Sequence, residues 1–142
     1  MAGKTLEENK ALVRKFLHMF ERGDPSMADE IVAADYYSHG APDPSLGLEG
    51  LKAFVAMYKN AMPDARVDIE FQVAEGDKVV SRYTWSGTHR GELFGVPATG
   101  KWVSWTITAT MKIADGKVHE VWTDWDRGAL MQQLGVVPTQ GP

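Results

Sequence analysis

At Pro63-Asp64 the spacing of apolar residues changes from helical to alternating, and this one switch restricts the chain to an α+β arrangement. Before it, Leu12, Phe16 and Phe20, with Val13 and Leu17, form a stripe at three- and four-residue spacing. Arg14, Lys15, Glu21 and Arg22 take the opposite side. After it, Val67, Ile69, Phe71 and Val73 alternate with Asp68, Glu70 and Gln72, the pattern of a strand with one buried face and one wet face. Helices come first and an antiparallel meander follows. A long curved sheet cannot cover its own concave face, so the early helices must lie across it.

The local signals divide the chain further. Thr5-Leu6-Glu7-Glu8 reads as a capping box that starts the first helix, and Gly23 stops it. Asp24 caps a second, shorter helix running to about Ala34, with Pro25 in its first turn. A brief strand is predicted from Tyr36 to His39, and Ala41-Pro42-Asp43-Pro44 makes a loop. A third helix runs from about Leu48 to Met62, with Leu51, Phe54, Val55 and Tyr58 on one face. Glu75-Gly76-Asp77 turns the first strand of the meander into a second, Val79 to Thr88. Glycines at 91, 95 and 100 place Glu92-Leu93-Phe94 on a loop or bulged edge, Trp102 to Ile113 is a long strand, and Asp115-Gly116 makes a tight hairpin into the last one. No linker, repeat or low-complexity tract interrupts the order, so residues 1–142 read as a single domain.

Composition narrows the function. The formal charge of -4 with no run of Lys or Arg argues against a nucleic-acid surface. There is no cysteine, which removes disulfides, thiolate nucleophiles and thiolate metal sites. No segment approaches the roughly 20 apolar residues of a membrane span and the N-terminus lacks an apolar signal core, so a soluble, cytoplasmic protein is expected. The expected partner is a hydrophobic small molecule: Tyr83, Trp85, Trp102, Trp105, Trp122 and Trp125 crowd the strands, and a sheet bent around the helices leaves an open end that forms a pocket. The plainer alternative makes the tryptophans core or oligomer contacts.

The chemistry is expected in the stretch from Gly116 to Gly135. Alternation puts Val118, Glu120, Trp122 and Asp124 on one face of the last strand, with His119, Val121, Thr123 and Trp125 on the other. Asp126 continues the first face. Asp126 is also placed to cap a C-terminal helix that buries Leu130, Met131 and Leu134 and ends at Gly135. Two carboxylates beside two tryptophans suit proton transfer, since an apolar neighbourhood raises a carboxyl pKa. The plainer alternative leaves Asp126 as an N-cap and Asp124 as a solvated residue.

The ordered motifs resemble one family. They are Arg22-Gly23-Asp24, the Tyr-x-x-His-Gly of Tyr36 to Gly40, Glu49-Gly50, Met62-Pro63-Asp64, Gly76 to Arg82, the run Gly87 to Lys101, and Asp115 to Asp126 with Gln133-Leu134-Gly135. Together they span most of the chain and resemble the SnoaL-like polyketide cyclases of the nuclear transport factor two-like superfamily. The resemblance implies a cone of curved antiparallel sheet packed on three N-terminal helices, a homodimer or homotetramer, a cavity, and no metal or organic cofactor. It also implies an Asp acid/base for intramolecular aldol closure, matched here by Asp126. Asp124 resembles the position of the water-activating Asp of the related limonene-epoxide hydrolases. Their Arg-x-Asp pair is only half matched, by Arg82 with Thr84.

The expectation is therefore a cofactor-independent cyclase, isomerase or lyase acting on a carbonyl-containing hydrophobic molecule. The catalytic candidates are Asp126, Asp124, His39 and His89, the histidines either as donors to a developing oxyanion or as structural groups, His39 bonded to backbone and His89 to its glycine-rich turn. Arg82 either holds a substrate oxygen or pairs with Glu70 or Glu92. Trp122, Trp85, Trp105, Phe16, Phe20, Tyr36, Phe54, Tyr58 and Phe94 are the expected walls. The alternatives are a binding protein of the same fold without turnover, or a hydrolase using Asp124. No His-x-His or His-x-x-x-His spacing suggests a metal, and no glycine-rich phosphate loop followed by a helix suggests a nucleotide.

Overall fold

The amphipathic first stretch forms α1, Ala2–Arg22, in a computed structural model that describes residues 2–39 and 47–135. The helix begins ahead of Thr5, so the expected capping box lies inside its first turns instead of starting it. It ends where expected. Gly23 at φ +68° donates its N–H back to Met19 and Phe20, a left-handed stop that a side chain would strain. Asp24 then accepts from Ser26 N and caps a 3₁₀ turn, Pro25–Met27, that runs into the short α2, Ala28–Ile31.

The predicted second helix stops early because Val32 already pairs with Val118. The strand β1, Val32–His39, lies parallel to the last strand. The proline loop at 41–44 lies outside the described residues. Next come α3 (Leu48–Ala61), β2 (Arg66–Glu75), β3 (Lys78–Thr88), β4 (Trp102–Ala114), β5 (Lys117–Trp125) and α4 (Arg127–Leu134). The sheet order is β1-β5-β4-β3-β2, mixed because of the parallel β1–β5 pair and otherwise antiparallel. α1 packs against β2, β3 and β5, and α3 against β1, so the curved sheet wraps the helices from both ends.

Two bulges decide which side chains face inward. In β5 the pairing passes from Ile113↔Val118 to Lys112↔Glu120, which leaves His119 as an extra residue. The alternation flips there, and Val121, Thr123 and Trp125 turn toward the helices while Glu120, Trp122 and Asp124 turn away. In β2 the extra residue is Glu70, between Ile69↔Tyr83 and Phe71↔Arg82. Phe71 and Val73, expected in the core with Val67 and Ile69, are consequently 52% and 58% exposed. Gln72 takes the inner side instead, bonded to Ser81 Oγ, Lys10 O and Arg14.

Candidate functional site

The cross-strand register stacks the inward side chains of the sheet in rows. One row is Val79, Met111, Val121 and Ser38; the next is Ser81, Ala109 and Thr123; then come Tyr83, Ile107 and Trp125, followed by Trp85 and Trp105. Large residues flank a row of small ones. The floor recedes at Ala109, and the helices bring Phe16, Leu17, Phe20, Leu51, Phe54 and Tyr58 across the gap. Val67, Tyr36 and Phe94 complete a cavity of about 110 Å³. Left unfilled, a cavity of that size costs on the order of 2–3 kcal/mol against a packed core, at about 24 cal/mol per Å³.

Its walls are a continuous set of aromatic contacts. Phe16 touches Tyr36 and Phe20 at 6.3 and 5.8 Å, Phe20 meets Tyr58 at 5.8 Å, and Tyr58 meets Phe94 at 6.0 Å. Phe94 stacks on Trp125 at 5.2 Å, and Trp125 lies 6.1 Å from Trp105. Tyr58 also contacts Phe54 and Trp85, edge to face. Such pairs add about 0.5–1.5 kcal/mol each beyond simple burial, which holds the rim open without filling it. Phe94 contributes from a strained position. Its φ of +49°, followed by Gly95 at +82°, makes a tight turn closed by reciprocal Leu93 and Val96 backbone bonds.

No Asp, Glu, His, Lys or Arg side chain lies among the described residues of the wall. Its polar side chains are the hydroxyls of Tyr36, Tyr58, Tyr83, Ser38 and Thr123, besides the indoles, and the Trp85 N–H is already donated to Met62 Sδ at 3.3 Å. Burial pushes the Tyr36 phenol up to about 12 against the lowering effect of a hydrogen bond with Ser38. Burial also raises Tyr58 and Tyr83 well above the ordinary tyrosine range, each helped by a neighbouring phenol, Tyr83 beside Tyr58 and Tyr36 beside Tyr83. All three stay protonated donors near neutral pH.

Phe16, Phe20, Tyr36, Phe54, Tyr58, Trp85, Phe94 and Trp105 lie on this wall. Six other candidates do not. Asp126 is solvent-exposed and accepts the Ala129 N–H at 2.9 Å as the N-cap of α4; the plainer alternative describes its geometry. Asp124 is exposed on the outer face because of the His119 bulge, and the same flip puts Trp122 there. His39, the last residue of β1, stacks flat on Trp122 at 4.7 Å and bonds Glu120 at 2.9 Å on that outer face. Arg82 points outward to Glu70 at 3.3 Å, with Thr84 beside it, so the Arg82 and Asp124 expected for epoxide hydrolysis both lie off the cavity.

His89 is fully buried and serves the loop. Its Nδ1 accepts from Thr99 N and Thr99 Oγ1, its backbone pairs with Gly100 and Lys101, and among the described residues its Nε2 has no partner. Tyr83, Ser38, Thr123 and Ala109 were missed as wall residues, because a row across a sheet is visible only once the register, bulge included, is known.

A wider groove between the N-terminal part of α1 and the two hairpin turns is open and lined by Glu8, Lys15, Asp77 and Asp115 as well as apolar groups, so it lacks apolar enclosure. Among the described residues no cluster of three or more His, Asp or Glu could hold a metal ion, and no helix is long and apolar enough to cross a membrane.

A helix-covered curved sheet around an aromatic cavity, with no charged side chain among its described lining residues, is the plan of the nuclear transport factor two-like fold. The chain belongs to the SnoaL-like polyketide cyclase family, which it matches over residues 10–134. It is 29% identical over 121 residues to the aklanonic acid methyl ester cyclase DnrD of Streptomyces peucetius, covering 80% of this chain and 83% of that one. The aklanonic acid methyl ester cyclase DauD of Streptomyces sp. (strain C5) is 30% identical over 120 residues, covering 80% and 74%. The structure of TsrD from Streptomyces laurentii superposes with a TM-score of 0.84 at 30% identity, over 92% of this chain and 97% of that one.

Proposed function

We propose that this protein is a cofactor-independent cyclase that closes a ring in a neutral, carbonyl-rich polyketide-type molecule, a methyl ester in the manner of its relatives' named substrate, by intramolecular aldol condensation. The observation that carries this reading is the cavity wall: among the described residues it is apolar and aromatic, with hydroxyl donors and no charged side chain. Such a wall favours a flat ligand whose oxygens accept hydrogen bonds, and disfavours a free carboxylate, which would enter without a counter-charge. In the reaction a base removes a proton from carbon flanked by carbonyls, the enolate carbon bonds to a ketone carbon, and that ketone's oxygen takes a proton back. Asp126 is the proposed proton carrier. It follows Trp125, whose ring is on the wall, while its own carboxylate lies outside the wall at the N-terminus of α4.

A second reading, ligand binding without turnover, is favoured by the commitment of Asp126 to the α4 cap. One substitution separates the two, because Asn caps a helix about as well as Asp but cannot carry the proton. With aklanonic acid methyl ester as the trial substrate, cyclisation by the intact protein and its loss in Asp126→Asn, with binding within about tenfold, supports the enzyme. Binding without product in either protein supports the carrier. Full turnover by Asp126→Asn removes Asp126 from the mechanism.

A further inference from the structure

The phenols of Tyr36, Tyr58 and Tyr83 come from three elements, β1, α3 and β3, and their side chains meet on one cavity wall. Tyr36 has a hydroxyl neighbour in Ser38. Tyr58 and Tyr83 have none: among the described residues no hydrogen bond ties either hydroxyl to the protein. Tyr58 is half-buried and Tyr83 is 9% exposed, and neither hydroxyl is sealed away from the cavity, so both are free to donate to an acceptor that arrives with the ligand.

The acceptor's class follows from what surrounds it. Among the described residues no cationic side chain lies on the wall, so a carboxylate, whose charge is confined to two oxygens, lacks a counter-charge there. An enolate or aryl oxide, whose charge is shared with a conjugated carbon frame, needs only neutral donors, since a neutral O–H strengthens its bond as the charge builds on oxygen.

We propose that Tyr36, Tyr58 and Tyr83 form an oxyanion site inside the cavity, with Tyr83, the middle member, as the principal catalytic donor to an enolate or hydroxyarene oxygen. The phenols keep their protons throughout. The carbon-bound proton leaves by the separate carrier, and the O–H groups hold the oxygen left negative. This inference rests on the reading of the cavity as a small-molecule site, and the two fail separately in the following experiment.

The probes are 4-nitro-1-naphthol, whose nitro group brings its ionisation into the range a folded protein tolerates, and its methyl ether, which cannot ionise. Affinity for each is measured by quenching of tryptophan fluorescence across that range. The expected result is naphthol affinity that rises with pH through the naphthol's own ionisation, while ether affinity stays flat. Tyr83→Phe is expected to weaken binding of the ionised naphthol by about tenfold to a hundredfold, the usual effect of one hydrogen bond to a charged group, and to leave the ether unchanged. Tyr36→Phe is used in the same way if Tyr83→Phe does not fold. Ether binding combined with naphthol affinity that falls or stays flat with pH overturns the oxyanion site and leaves the cavity reading standing. A pH rise retained in full by the Phe variants also overturns it. Binding of neither probe overturns both.

Discussion

Ala109→Leu tests whether the hollow lies where the small row places it. In a packed core, adding methylenes at a buried Ala costs about 1–3 kcal/mol through strain. Here Ala109 is 1% exposed yet borders a cavity of about 110 Å³, with Ser81 and Thr123 rather than large residues beside it in the row. The three added carbons have space to occupy and would gain up to about 2.4 kcal/mol at roughly 0.8 kcal/mol per buried CH₂. Imperfect fit takes back part of that, so the expected change runs from about neutral to 2 kcal/mol more stable. For a chain of 142 residues this is a rise in Tm of up to roughly 6 °C. Urea unfolding followed by circular dichroism reads the sign, with an unchanged m-value as the check that the unfolded state is not altered. Binding of the naphthol ether should fall at the same time, because ligand and leucine compete for one space. A variant destabilised by 2 kcal/mol or more would show that Ala109 faces a filled core and would refute the placement.

Three further changes have defined outcomes. Asp126→Ala should cost about 1 kcal/mol of stability by freeing the Ala129 N–H, while Asp126→Asn should cost little; equal losses in thermal melts would deny the capping role. Asp64 is held below the usual carboxylate range by the Thr88 backbone N–H and then by the Thr88 hydroxyl, both at 2.8 Å. Because its folded pKa is depressed, its contribution is present above the unfolded value near 4 and is lost as pH falls through the lower folded value. Asp64→Asn should therefore shrink the drop in urea midpoint between pH 7 and pH 3, and an undiminished drop would contradict the assignment. Gly91→Ala should destabilise by about 1–3 kcal/mol, since its Cβ would sit 2.8 Å from Asn60 O and 3.2 Å from Ala61 Cα, both backbone; a neutral result in urea would mean the loop yields freely.

Much of this was legible in the sequence. The amphipathic stripe of α1, the Gly23 and Gly135 stops, the Asp115-Gly116 hairpin and the four meander strands are local signals, and each appears within a few residues of its predicted place. The early start of β1 was not, because pairing of Val32 with Val118 joins distant parts of the chain. The facing of β5 failed for a different reason. Period-two reasoning assumes an unbroken ladder, and one extra residue at His119 exchanges the faces for everything after it; Glu70 does the same to Phe71 and Val73. The carboxylates were conspicuous in sequence, and Tyr36 and Tyr58 were legible as wall residues, whereas the other hydroxyls were not. Ser38, Tyr83 and Thr123 come from three strands and are brought around one space only by the register.

The tryptophans give the most direct measurement of where a ligand sits. Trp85, Trp105 and Trp125 line the cavity, while Trp122 lies on the outer face and Trp102 is 65% exposed. The measurement is titration with the methyl ether of 4-nitro-1-naphthol of a variant carrying Trp102→Phe and Trp122→Phe. Binding within the cavity requires saturable quenching as strong as in the unmodified protein, abolished when Ala109→Leu is added. Quenching that disappears with Trp102 and Trp122, or that survives Ala109→Leu unchanged, would place the ligand outside and contradict the central claim.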